Sequence, residues 1–380
     1  MSEPSPLLDV YPRLDIELAS AHGCWLRTSD GREILDLYGG HAVTPLGHGH
    51  PELTRTLAEG HATLDFFSNS LHMPVQQRAA QRLLGGSDHL RHVHFVNSGT
   101  EANEAALHLA RRLSGRERVL SFDCAFHGRT LAALGATALS GYSQRLSVPR
   151  VADAYGTLRF GALEDVERID DSVACVLCES VPSLAGVLMP PDGYYPALEA
   201  RCREAGALLV FDEVQGGIGR LGRWFAHELF GVKPDMVTLA KSIAGGYPAG
   251  ALLVSGELGA RVKHGELGTT FGGGPLACAM IETVARVIDE QGLLARVEAI
   301  FAGLREHVGS IDGVTLSGAG CLVGLRTPLP AAQLRARLLE HQVLVGTSAE
   351  PQTARLLPPY VLEDAHIARF AEALRHVLGH

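Results

Sequence analysis

Short apolar runs recur through the middle of the chain, at 93–96, 118–122, 174–178, 207–211, 236–239 and 249–254. Between most of them the apolar positions fall at helical spacing, as in 101–113 and 195–204. A run that is apolar at successive positions suits a strand buried on both faces, and the intervening periodicity suits helices that cover it. This alternation predicts an α/β fold with a mainly parallel central sheet. In such sheets ligands bind beyond the carboxyl ends of the strands.

The rhythm changes near Pro275. A long helical pattern runs to about Glu290, and shorter strands and helices follow to the end. The opening fifty residues carry a hairpin pattern, Cys24-Trp-Leu-Arg followed by Asp30-Gly-Arg-Glu-Ile-Leu35. We therefore expect an N-terminal segment, 1–50, that packs with a small α+β domain. A large domain spans 51–275, and an interdomain helix with the small domain covers 276–380. A chain of 380 residues is long enough for this two-lobed arrangement.

Composition narrows the partners. The formal net charge is −9 and no long basic tract offsets it, which argues against nucleic acid and anionic membrane. No apolar run approaches the length of a membrane span. The start, MSEPSPLLDVYP, is acidic and broken by proline, so it does not read as a signal peptide, and a cytoplasmic protein is expected. Seven cysteines, an odd number, suit a reducing compartment. Cys175 and Cys178 form a CxxC inside a strand pattern, where residues three apart face opposite ways, so both are expected to be core residues. His41, His48 and His50 lie close together, but no HExxH accompanies them, and no metal site is expected.

Only three lysines occur, Lys233, Lys241 and Lys263, in a chain rich in arginine. Lys233 and Lys263 sit in polar turn-like settings. Lys241 directly follows the apolar run 236–239 among small residues, so its amine is expected to be desolvated, depressed in pKa and nucleophilic. Asp212 ends the preceding run, where a buried carboxylate needs a cationic partner or serves to cap the following turn. Asn97-Ser-Gly-Thr-Glu101 ends a strand and opens a helix, as an anion site or a plain N-cap would. Phe126-His-Gly-Arg129-Thr offers an aromatic face and a guanidinium suited to a carboxylate, or else a packed loop. Gly268-Thr-Thr270-Phe-Gly-Gly-Gly274 adds glycine-rich backbone and hydroxyls.

In this order the motifs resemble the fold-type I pyridoxal-phosphate enzymes, specifically class-III aminotransferases of the acetylornithine/succinylornithine subgroup. The resemblance covers nearly the whole chain. It rests on FVNSGTEANEAALHLAR, FHGRT, LVFDEVQGGIGRLGRWFA, PDMVTLAKSIAGGYPAGA and TTFGGGPLACA. It implies a homodimer with active sites at the subunit interface and pyridoxal 5'-phosphate bound covalently to Lys241. Asp212 would pair with the ring nitrogen, Ser98, Gly99 and Thr100 would hold the phosphate, and Thr270 would reach it from the second subunit. Phe126 would stack on the ring, Val214 would pack its other face, and Gln215 would approach the ring hydroxyl. Arg129 would clamp the substrate α-carboxylate, and Arg355 would take a second carboxylate. The implied reaction moves an amino group between an N-acyl-L-ornithine and 2-oxoglutarate, in arginine biosynthesis. Transamination of N-succinylornithine, ornithine, GABA or an acyl-lysine, and aminomutase chemistry, are alternatives on the same fold.

Two positions depart from the family pattern. Where members commonly show Glu-Pro-x-Gln-Gly-Glu-Gly-Gly, this chain has Glu179-Ser-Val-Pro-Ser-Leu184-Ala-Gly186, so Leu184 replaces the acidic residue that would gate Arg355. Arg355 is therefore expected to stay unpaired and to admit an acyl group ending in carboxylate. The usual asparagine after the paired glycines is Gly274.

Overall fold

The computed structural model describes residues 6–139, 141–142 and 154–379. Residues 1–5 of the opening stretch, read above as no signal peptide, lie outside the described residues. Among the described residues the strands form three sheets. β1 (Leu18–His22), β2 (Trp25–Thr28) and β3 (Glu33–Asp36) make an antiparallel meander. The large sheet contains β4 (Leu90–Val96), β5 (Arg118–Phe122), β6 (Tyr155–Leu158), β7 (Val173–Glu179), β8 (Leu208–Asp212), β9 (Met236–Leu239) and β10 (Gly250–Ser255). Its order is β4-β10-β9-β8-β7-β5-β6. After these come β11 (Thr315–Ala319), β12 (Leu322–Arg326), β13 (Val343–Leu344), β14 (Gly346–Thr347) and β15 (Thr353–Leu356). The third sheet runs β11-β12-β15-β14, while β13 pairs in parallel with β3 and so ties the start of the chain to its end.

β7 is buried at every position, and its neighbours alternate as a two-faced strand requires. Cys175 and Leu177 pack with Ala106 and Ala110 of the helix Gly99–Ser114. Val176 and Cys178 pack with Leu198 and Cys202 of the helix Tyr194–Ala205. The CxxC cysteines thus face opposite sides, as expected. Burial pushes the Cys175 thiol up to about 12 and the Cys178 thiol well above its usual range, which leaves both unreactive.

Two features were not anticipated. β10 runs antiparallel to β9 and β4, so the mainly parallel sheet contains one reversed strand. The connection between β9 and β10 is too short for the helical crossover that a parallel pair needs. β6 is an edge strand whose Tyr155-Gly-Thr-Leu sequence gives little strand signal. The helix Pro275–Glu290 matches its expected bounds and opens with proline in its first turn.

Candidate active site

The carboxyl ends of β5, β7, β8 and β9 converge on one edge of the sheet, joined by the turn that follows β4. A cavity of about 510 Å³ opens there. Ser98, Gly99, Thr100, Phe126, Arg129, Asp212, Val214, Gln215, Lys241 and Arg355 all line it. Thr270 is exposed and lies outside the cavity of its own chain. Gly274, the other departure, precedes the helix Pro275–Glu290, and its carbonyl accepts from Cys278 N at 3.0 Å.

Lys241 opens a 3₁₀ turn directly after β9, with φ of +48°, a conformation that non-glycine residues rarely adopt. The next residue fixes it: Ser242 Oγ donates to Ala42 O at 2.9 Å and accepts from Arg220 Nη2 at 3.1 Å. Burial pulls the Lys241 ammonium down to about 8, against the opposing pull of the Asp212 and Glu179 carboxylates. A larger share of neutral, nucleophilic amine is therefore present near neutral pH than an ordinary lysine offers.

Asp212, 5% exposed, is held on both oxygens. Oδ2 accepts from Asn103 Nδ2 at 2.7 Å and from His127 Nδ1 at 2.8 Å, while Oδ1 accepts from Val214 N at 3.0 Å. Asn103 is itself oriented by Thr238 Oγ1, which donates to its Oδ1 at 2.7 Å. The adjacent Glu213 turns away and accepts from Ala226 N, His227 N and His227 Nδ1. It organises a loop, and Asp212 alone of the pair lines the cavity.

The turn after β4 is an N-cap and also a potential anion cradle. Ser98 Oγ accepts from Glu101 N at 3.3 Å, and Glu101 Oε2 accepts from Asn97 N at 2.7 Å. The capping reading is thus present, and the helix N-terminus still faces the cavity with its positive dipole end. Gly99 leaves the cradle open, since a Cβ there would lie 2.7 Å from Val214 Cγ1. Gly128 has φ of +134°, and a Cβ on it would strike Thr100 Oγ1 at 2.2 Å.

The two arginines differ in setting. Arg129 is exposed, with its guanidinium near the rings of Tyr142, Tyr11 and Phe126 at 5.3, 5.8 and 6.0 Å. Arg355 is 2% exposed. It donates from Nε to Thr347 O at 2.8 Å, from Nη1 to Ser183 Oγ at 3.3 Å and Gln215 Oε1 at 3.5 Å, and from Nη2 to Tyr38 Oη at 3.3 Å. Leu184 lines the same cavity, and no carboxylate among the described residues forms an ion pair with Arg355.

Sequence reasoning missed Asn103, His127 and Glu179 as groups that build the site. Glu179 ends β7, accepts from Phe126 N at 3.0 Å and is pushed up to about 7 by burial. His41, which the sequence offered only as one of three neighbouring histidines, lines the cavity itself. His48 engages Asp36 at 2.9 Å.

A strand-end lysine and aspartate on a mainly parallel sheet, beside a helix N-terminus and two arginines, define a cofactor-dependent transferase site. Residues 10–378 match the Aminotransferase class-III family, and the chain belongs to it. Among its relatives, acetylornithine aminotransferase 1 of Bordetella bronchiseptica is 36% identical, over 94% of this chain and 93% of that protein. The acetylornithine aminotransferase of Mycobacterium bovis is 36% identical over 98% and 94%. Of solved structures, the ornithine aminotransferase of Toxoplasma gondii superposes with a TM-score of 0.91, covering 98% of this chain and 91% of that one at 23% identity, a likeness of fold alone. A phospholyase from Arthrobacter in complex with phosphoethanolamine gives 0.90 at 27% identity, covering 98% and 97%.

Class-III aminotransferases work through pyridoxal 5'-phosphate, and the cavity suits it. Gln215 Nε2 is a buried donor with no partner among the described residues, facing a cavity large enough for the ring. The open cradle at Gly99 and the buried carboxylate of Asp212 supply sites for a phosphate and a cationic ring nitrogen.

Proposed function

We propose that this enzyme transfers an amino group between N-acetyl-L-ornithine and 2-oxoglutarate, giving N-acetylglutamate 5-semialdehyde and glutamate, a step of arginine biosynthesis in the cytoplasm. The observation that carries the reading is the depressed amine of Lys241 in one cavity with Asp212 and two arginines. The acetylornithine aminotransferases among the relatives, aligned over nearly the whole chain, support the substrate. A homodimer completes the site, with Thr270 reaching the partner's cofactor phosphate from its exposed loop.

In this reading Lys241 would hold the cofactor's aldehyde carbon, Ser98, Gly99 and Thr100 would bind its phosphate, and Phe126 and Val214 would flank its ring. Gln215 donates from its free Nε2 to the ring oxygen. The cofactor, when bound, supplies an electron sink for the carbanion left after proton loss. Asp212, oriented by the donors Asn103 and His127, would face the ring nitrogen and favour a proton there. Lys241 Nζ, when free, would take the proton from the carbon bearing the transferring nitrogen and later return one. Arg129 binds the α-carboxylate of the acylornithine, and Arg355 binds a carboxylate of glutamate. The apolar wall of Leu184 and the unpaired Arg355 favour N-succinylornithine as a second substrate.

Incubating the holoenzyme with 2-oxoglutarate and N-acetylornithine, N-succinylornithine, ornithine, GABA or an acyl-lysine tests this. Glutamate should form fastest with the acylornithines. Faster turnover of free ornithine or GABA would overturn it.

A further inference from the structure

The segment after β3 runs through four consecutive left-handed residues, with φ of +54° at Gly39, +58° at Gly40, +74° at His41 and +62° at Ala42. Such a run is costly for His41 and Ala42, and it is held in place by Asp36 Oδ1, which accepts from Tyr38 N at 2.8 Å and Gly39 N at 2.9 Å. The result is to set His41 on the cavity wall with Lys241 and Arg355.

A chain of hydrogen bonds then fixes which ring nitrogen carries the proton. Arg355 Nη2 donates to Tyr38 Oη, and His41 Nδ1 is the acceptor within reach of the Tyr38 hydroxyl hydrogen among the described residues. With Nδ1 accepting, the imidazole hydrogen lies on Nε2. Among the described residues Nε2 has no hydrogen-bond partner. Partial desolvation by the cavity, with the Lys241, Arg355 and Arg129 charges nearby, lowers the His41 pKa and favours the neutral ring.

We infer that His41 is a specificity-determining residue whose Nε2–H donates to the substrate carboxylate held by Arg355, with Tyr38 as the positioning residue that sets its tautomer. This rests on the aminotransferase reading and names a second donor in its glutamate half-reaction. Arg355, already bonded to Thr347, Ser183, Gln215 and Tyr38, has little of its fork left, and a neutral donor beside it supplies the missing contact without a second positive charge next to the guanidinium.

The two half-reactions of the holoenzyme separate the outcomes. With glutamate alone and with N-acetylornithine alone, the single-turnover rate and its half-saturating concentration are measured for wild type, His41→Leu, His41→Gln and Tyr38→Phe. His41→Leu should raise half-saturation for glutamate at least about tenfold, the size of one lost hydrogen bond to a charged group. The N-acetylornithine value should change much less. His41→Gln, which keeps an N–H donor, should recover part of the loss. Tyr38→Phe should weaken glutamate binding, and adding it to His41→Leu should cost little more. Equal losses in both half-reactions, or full additivity, would overturn the inference. Wild-type enzyme that transaminates neither compound would instead overturn the function it rests on.

Discussion

His127 donates from Nδ1 to Asp212 Oδ2 at 2.8 Å, and both side chains are buried. With Asn103 on the same oxygen, the buried carboxylate has its acceptors satisfied and its direction fixed, unlike a bare strand-end aspartate. Asp212→Asn should leave the fold intact and cut the single-turnover rate at least a hundredfold, about 2.7 kcal/mol at about 1.4 kcal/mol per tenfold. His127→Phe should cause a smaller loss and lower the pH at which the bound ring nitrogen deprotonates, read from the cofactor's absorption. Unchanged spectra and rates would show that another group holds that proton.

Lys241 should be the covalent anchor. Lys241→Ala should abolish multiple turnover, and borohydride treatment of wild-type holoenzyme should fix the cofactor to the peptide that contains Lys241. In the cofactor-free protein the amine's pKa is lowered to about 8, so capture of pyridoxal 5'-phosphate should rise through that pH rather than near 10.5. The sign follows from burial: the folded state penalises the ammonium below about pH 8, and the penalty disappears as pH rises past the unfolded value. The Asp212 charge raises the Lys241 pKa, so Asp212→Asn should move the capture profile to lower pH. A profile centred near 10.5 would contradict a desolvated amine.

Most of this site was legible because its parts sit where a strand ends. Lys241 and Asp212 each follow an apolar run, and Ser98 to Thr100 open a helix, so spacing alone placed them at one sheet edge. Asn103 and His127 were not legible, since each acts through Asp212 across the fold and neither carries a local pattern. The fully buried Arg220, near the DEVQGG stretch, gave no signal either, because its partners Pro358 and Cys321 come from far along the chain. Apolar periodicity also carries no strand direction, which is why the reversal of β10 went unseen.

Arg220 ties distant segments of the chain together beside the lysine. It donates to Pro358 O at 2.6 Å, Cys321 O at 3.4 Å and Ser242 Oγ at 3.1 Å, with Tyr360 across its face at 4.7 Å. Arg220→Met should strand those acceptors, at about 1–3 kcal/mol for each buried group left unsatisfied. Thermal unfolding of the cofactor-free protein should fall by several degrees. Removing a cation near Lys241 should also raise its pKa, shifting cofactor capture to higher pH. An unshifted capture profile with reduced stability would confine Arg220 to packing.

Leu184 should decide how selective the cavity is for carboxylates at Arg355. A buried guanidinium with no ion-pair partner favours any anion that enters, and an apolar neighbour adds contact for a longer acyl chain. Wild-type enzyme should therefore turn over N-succinylornithine with kcat/KM no worse than about threefold below that for N-acetylornithine, under about 0.7 kcal/mol on the same rate scale. Leu184→Glu should place a carboxylate within reach of Arg355, and a substrate carboxylate must then displace it. KM for N-succinylornithine should rise at least tenfold in that variant, while N-acetylornithine, which carries one carboxylate fewer, should be affected less. A strong wild-type preference for the acetyl compound, or equal effects of Leu184→Glu on both substrates, would mean that Arg355 does not meet the acyl group.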